Sequence, residues 1–110
     1  MKYGNKKTII DGYKFDSKLE ATRFLYLKKL LIAGTITDLT LQKSFTLQDG
    51  FIYNKKKERP ITYVSDFYYK DKNGNEIVED AKGFKTDVYK IKRKLFLFKY
   101  PHIRFSEVIK

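Results

Sequence analysis

Residues 66–82 read DFYYKDKNGNEIVEDAK, and the way this stretch turns decides which of its charges meet. Two runs rich in aromatic and β-branched residues flank a polar loop, which predicts a β-hairpin. Asp71 at the first position, Lys72 and Asn73 in the middle and Gly74 in the left-handed position fit a three-residue loop, a type I turn closed by a glycine bulge. Asp71 then pairs with Asn75, and the same register puts Asp66 opposite Asp80 with Cβ atoms roughly 4.5–5.5 Å apart. Lys82 shares the face of Asp80, about 6.7 Å further along the strand. A two-residue turn at Asn73-Gly74 would instead set Asp66 opposite Ala81 and disperse the group.

Two carboxylates on one surface repel unless a cation lies between them, and a divalent metal is the natural one. With no cysteine and a single histidine, His102, that metal must be hard and oxygen-bound, Mg or Mn. Asp66 and Asp80 would hold it, and Lys82 would orient a water or steady negative charge on a phosphodiester undergoing hydrolysis. Glu79 points to the other face as a solvated or paired charge, and would replace Asp80 only if the register slipped by one.

Outward from the hairpin, the chain shows no repeat and no linker, and its 110 residues fit a single domain. TIIDGYKF (8–15) predicts a hairpin turning at Asp11-Gly12. A helix is expected from about Ser17 to Ala33, with Ser17 and Glu20 as a capping box and Gly34 at its C-terminal end. Phe24, Leu27 and Leu31 lie within about 40° of Glu20 around that helix. Glu20 therefore sits on the apolar stripe, either as a cap alone or as a group turned into the pocket. Strands are expected near LTLQKSFTLQ (39–48) and FIYN (51–54), then a basic loop KKKERP (55–60), and ITYVSDFYY (61–69) reads as one continuous strand. A second helix is expected from about Thr86 to Tyr100 with Val88, Ile91, Leu95 and Phe98 as its apolar stripe, stopped by Pro101. The last strand, HIRFSEVI (102–109), is expected to return parallel through a right-handed crossover. This order implies an α/β or α+β fold, a central mixed β-sheet flanked by helices.

Twenty-four Lys plus Arg against thirteen Asp plus Glu give a net charge of +11, which points to a polyanionic partner, most simply DNA. The cations fall in three places: Lys6 and Lys7; Lys55, Lys56, Lys57 and Arg59; and the second helix with Lys85, Lys90, Lys92, Arg93 and Lys94. Together they predict phosphate contacts to duplex or branched DNA, with no base-reading motif. No apolar run nears the roughly 20 residues that span a bilayer, and MKYGNKKTII at the N-terminus lacks a secretory apolar region, so a cytoplasmic protein is expected.

SKLEATRF with Glu20, TYVSDFYY with Asp66 and VEDAKG with Asp80-Ala81-Lys82 resemble the helix Glu, strand Asp and (D/E)-x-K of the PD-(D/E)XK nuclease superfamily. The resemblance spans about 15–100 and is closest to small phage and prophage nucleases, Holliday-junction resolvases and transposon end-cleaving nucleases. It implies a restriction-endonuclease-like core and a Mg-dependent DNA endonuclease. Asp66 and Asp80 would be metal ligands, the Ala81 carbonyl a further ligand, Lys82 the catalytic lysine and Glu20 a support for the metal. Gln42 stands where transposon-type relatives carry a glutamine. The chain departs from the commonest pattern in having Asp80 rather than Glu, and Ser65 rather than Pro before Asp66.

D-x-K is a common triplet in a basic chain, and Asp16-Ser17-Lys18 is a second instance, read as helix-start polarity. Asp66 and Lys82 would also suit a structural salt bridge, and His102 reads as a bystander. Tyr63, Tyr68 and Tyr69 read mainly as packing residues. A non-catalytic nucleic-acid-binding module, stacking bases on Tyr63 and Phe67, is the competing reading, and a structural phage component with a dead site is another. A domain this small is expected to grip two strands as a homodimer.

Overall fold

The computed structural model describes residues 8–82 and 84–108; Lys6 and Lys7 lie outside the described residues. The elements in order are β1 (Thr8–Ile10), β2 (Tyr13–Phe15), α1 (Lys18–Ile32), β3 (Thr37–Leu41), β4 (Ser44–Gln48), β5 (Phe51–Tyr53), β6 (Lys56–Glu58), β7 (Ile61–Val64), β8 (Phe67–Lys70), β9 (Glu76–Ala81), α2 (Asp87–Lys99) and β10 (Arg104–Val108). A mixed four-stranded sheet runs β10-β9-β8-β3, with β9 parallel to β10 and antiparallel to β8. The expected α+β class with a central mixed sheet is therefore present, as is the parallel return through α2. No helix among the described residues is long and apolar enough to cross a membrane.

The β8–β9 hairpin has the expected register, Phe67 opposite Glu79 and Lys70 opposite Glu76. Its loop is closed by Asp71 N–H donating to Asn75 O at 3.0 Å and Gly74 N–H donating to Asp71 O at 3.0 Å. The Asp71 carboxylate accepts from the amides of Asn73 and Asn75 at 2.8 and 2.9 Å. These bonds to the ionised form hold its pKa below the usual range. Gly74 takes φ +82°, the left-handed residue that this loop demands.

Alternation along β8 and β9 sorts side chains to two cores. Phe67, Tyr69 and Ile77 pack with Phe15, Phe24 and Leu27 beneath α1. Tyr68 and Val78 pack on the other side with Phe45, Tyr63, Phe96 and Ile103 beneath α2. Helix α1 begins as expected, the Ser17 hydroxyl accepting from Glu20 N–H at 3.1 Å. Among the described residues the Glu20 carboxylate makes no return bond, so only half of the capping box forms.

Three expectations require correction. ITYVSDFYY is not one strand but two: β7 pairs with β4, whereas β8 pairs with β3 and β9. The break falls at Ser65-Asp66 and is matched across the ladder at Gln42, whose φ is +53°. Gln42 N–H donates to Asp66 O, and Ser65 N–H to Lys43 O, so both chains turn the corner together. KKKERP is not a loop, because Lys56–Glu58 forms β6, paired with β5 across Asn54-Lys55. Both turn residues have positive φ, which fits a type I′ turn.

The third correction concerns α2. Val88, Ile91, Leu95 and Phe98 are exposed, Phe98 at 88%, whereas Tyr89 and Phe96 are buried. Rings decide the rotation: Phe96 meets Phe45, Tyr63, Tyr100 and Phe105 at centroid distances of 5.1–5.7 Å, and this aromatic cluster outweighs burial of the Val88, Ile91, Leu95 and Phe98 stripe.

A Cβ at Gly74 would meet nothing within 4 Å, so replacing it should cost backbone strain alone. Gly74→Ala is expected to lose about 1 kcal/mol, read as a lower urea midpoint at unchanged slope, and Gly74→Asn less.

Candidate functional site

Consecutive acids Glu79 and Asp80 are both about 1% exposed, on opposite faces of β9. A buried carboxylate must be hydrogen-bonded or paired, and each is. Glu79 accepts two parallel bonds from Arg23 of α1, Nε to Oε1 and Nη2 to Oε2, both at 2.7 Å, and a third from the Tyr69 hydroxyl. It is thus a paired charge, and its pairing locks α1 to the central strand.

Asp80 lies on the α2 side. The Tyr63 hydroxyl donates to its Oδ2, and Lys82 Nζ stands 3.2 Å from its Oδ1. Oδ1 is buried and receives no hydrogen bond among the described residues; Lys82 makes an ion pair there that is out of line for a bond. The ammonium of Lys82 also lies 4.8 Å from the centre of the Tyr89 ring, which limits where it can swing. Burial and the neighbouring Asp80 charge push the Tyr63 hydroxyl pKa up, so it remains a donor.

Asp66 follows the break between β7 and β8, and its Oδ2 accepts from Ala81 N–H at 2.7 Å. That bond places Asp66 beside the Asp80–Ala81 end of β9, where the hairpin register predicts it. Burial, followed by the charge of Asp80, pushes the Asp66 carboxyl up to about 7, against the opposing pull of the Ala81 amide. Glu20 approaches from α1. Burial raises its pKa first, then the charges of Asp16 and Asp80, while Lys82 lowers it. Glu20 thus belongs to the same electrostatic neighbourhood and is 9% exposed.

The orphaned Asp80 Oδ1 and the mutual repulsion of Asp66 and Asp80 fit a divalent cation, which would relieve both. Among the described residues, however, no group of three or more carboxylate or histidine side chains is drawn together as a complete metal cage. Asp66 and Asp80 form the pair, with Glu20 further out and the Ala81 carbonyl at the last residue of β9.

Gln42 serves the site through its backbone, at the corner that frees Asp66 from the ladder. Its exposed side chain borders an open cleft of about 290 Å³, together with Tyr13, Lys14, Glu20 and Leu41. Two sets of contacts at the candidate site were not legible in the sequence. Tyr63 reads as a packing residue until β7 is seen to cross beside β9. Glu107, opposite Asp80 in the parallel register, accepts from the Tyr89 hydroxyl at 2.6 Å and from Lys85 at 3.1 Å, and lies 3.6 Å from Arg93. Lys85 and Arg93 are therefore partly neutralised within the fold, unlike the exposed Lys90 and Lys94. His102 lies 3.5 Å from Glu76 at the surface.

Compared with known proteins, the whole chain, residues 1–110, matches the family described as a protein of unknown function, DUF1064. The chain belongs to that family. No curated protein and no solved structure matches it. In this member of the family Asp66, Asp80 and Lys82 come together, with Tyr63 holding one oxygen of Asp80.

Because the folded pKa of Asp66 lies above its unfolded value near 3.9, the folded state holds the proton more tightly. The stabilisation from Asp66 is complete below about pH 4 and is lost as pH rises through about 7. Urea-unfolding stability of the wild type relative to Asp66→Asn should therefore fall across that window. Tyr63→Phe leaves Asp80 Oδ2 without its donor in the core, and should cost about 1–3 kcal/mol. Tyr53→Phe, at an exposed position, should be close to neutral in the same urea measurement.

Proposed function

We propose that the chain is a metal-dependent DNA endonuclease that hydrolyses phosphodiester bonds, in line with its resemblance to the PD-(D/E)XK superfamily. The observation that carries this reading is the pairing of a buried aspartate, Asp80, with the half-buried Asp66, beside a lysine on the same sheet face that meets an Asp80 oxygen otherwise without a hydrogen bond. A structural salt bridge between Lys82 and Asp80 accounts for one aspartate. It leaves the second, which accepts from Ala81 N–H, with a pKa raised by burial and by the first.

The residues divide the work. Asp66 and Asp80 would hold Mg or Mn, with Glu20 supporting them and the Ala81 carbonyl available as a further oxygen. When bound, the cation supplies positive charge against the developing phosphoryl charge and acidifies a nearby water. Tyr63 occupies Asp80 Oδ2 and so presents Oδ1 to the site. Lys82, reaching Oδ1 and confined by Tyr89, orients the attacking water or steadies the phosphoryl oxygens. Lys90, Lys94 and the cations around β6 suit phosphate contacts, which would make binding strongly salt-dependent. A second copy covering the exposed stripe of α2 would set two sites on one duplex or junction, and the resemblance to small phage nucleases suggests a role in phage recombination or DNA processing.

The competing reading, a non-catalytic module stacking bases on Tyr63 and Phe67, is weakened by their burial at 3% and 0% exposure. Cleavage assays on branched and linear DNA with Mg or Mn decide between the two. Asp80→Asn and Lys82→Ala are expected to lower cleavage by at least about a hundredfold while folding and DNA binding persist. A wild-type protein that leaves every DNA intact with either metal would overturn the assignment.

A further inference from the structure

Residues 49–60 make a hairpin unlike the rest of the chain. Phe51, Ile52 and Tyr53 are 48%, 66% and 63% exposed, and every residue from Gly50 to Ile61 is at the surface. Strands β5 and β6 pack chiefly against each other. An isolated two-stranded ribbon is marginal in water, and three large apolar side chains on one are unusual without a partner.

The ribbon is nonetheless firmly rooted. It continues the β4–β7 ladder, in which Phe45 pairs with Tyr63 and Gln48 with Ile61. At its base the chain passes so close at Gly50 that a Cβ there would lie 2.9 Å from Glu58 O and 3.2 Å from Pro60. Only glycine admits that approach, and it sets the angle at which the hairpin leaves the body. The Cα radius of gyration, 15.8 Å, exceeds the roughly 13 Å of a compact chain of this length, as a projecting ribbon requires. Three residues a side and a two-residue turn extend it by about 15 Å.

Register distributes its charge. Tyr53 pairs with Lys56 and Phe51 with Glu58 on one face, and Ile52 with Lys57 on the other. Lys55 stands at the turn and Arg59 at the root, so cations point to both faces and to the tip. A single strand presents one line of phosphates and calls for cations on one side. The two walls of a duplex groove present phosphates on both sides, and the major groove, about 12 Å wide, admits a two-stranded ribbon.

We infer that the β5–β6 hairpin is a DNA-binding arm that enters a groove of duplex DNA, with Lys55, Lys56, Lys57 and Arg59 on the flanking phosphates and the Phe51 and Tyr53 face against the groove floor. This rests on DNA being the ligand, as proposed above, and adds the duplex as the form of DNA and the arm as the element that grips it. The β4–β7 ladder at the root of the arm carries Tyr63, so the arm and the hydroxyl that meets Asp80 lie on one continuous path of chain.

Fluorescence anisotropy with a labelled 25-base-pair duplex and the matching single strand, in EDTA to prevent hydrolysis, tests the arm apart from the chemistry. Replacing Lys55, Lys56 and Lys57 together by Gln should flatten the slope of log affinity against log salt by about 2 to 3. The pair Phe51→Ser and Tyr53→Ser should weaken duplex binding about tenfold at every salt concentration with the slope unchanged. Circular dichroism melts of both variants should match the wild type, since the changed side chains are exposed. Variants that bind duplex as the wild type does would overturn the arm and leave the nuclease reading standing. A larger loss on the single strand than on the duplex would overturn the groove assignment. So would a wild-type dimer in sedimentation equilibrium that dissociates on Phe51→Ser and Tyr53→Ser. Wild-type protein that binds no DNA even at low salt would overturn both readings.

Discussion

Two neighbouring carboxylates buried in the middle strand of a sheet impose conditions on everything packed around them. Glu79 and Asp80 face opposite sides of β9, so each layer of the molecule must supply a compensating group. On one side α1 delivers Arg23, whose two nitrogens match both oxygens of Glu79, and β8 delivers the Tyr69 hydroxyl. On the other side β7 delivers Tyr63, and the strand itself delivers Lys82. Removing one partner from a buried charge is far more disruptive than the pair is stabilising. The docking of α1 and the path of β7 are therefore constrained by these two acids as much as by apolar burial.

The two acids differ in how completely they are satisfied. Glu79 is fully occupied by a bidentate arginine and a tyrosine, as befits a fixed tie between helix and sheet. Among the described residues Asp80 keeps one oxygen without a hydrogen bond, paired only with the Lys82 ammonium, and it faces a second carboxylate whose pKa is raised by burial and by the charge of Asp80.

The corner at Gln42 and Ser65-Asp66 is the geometric device that makes the pairing possible. Had ITYVSDFYY run straight, Asp66 would be one more ladder residue. The break instead frees its carboxylate to accept from Ala81 N–H. It also sends β7 across the α2 face, where Tyr63 reaches Asp80, and the same ribbon onward into the exposed hairpin beyond Gly50. One bend thus relates the acid pair, its orienting hydroxyl and the basic arm.

Local chemistry in the sequence by itself determined the turns and caps. Asp11-Gly12 and Asp71-Lys72-Asn73-Gly74 each admit few backbone solutions, Ser17 and Thr86 start their helices, and period-two alternation sets Asp66, Asp80 and Lys82 on one face once the loop is known. These are short-range matters, decided by φ preference and side-chain direction. Tertiary structure alone decided the rest. Which stripe of α2 turns inward depended on the rings awaiting Phe96, and whether Lys56–Glu58 paired depended on β5 lying beside it. The roles of Tyr63, Arg23 and Glu107 depended on partners 17, 56 and 18 residues away in sequence. Composition and periodicity carry no information about contacts at that separation, because only the packed chain brings those groups within bonding distance.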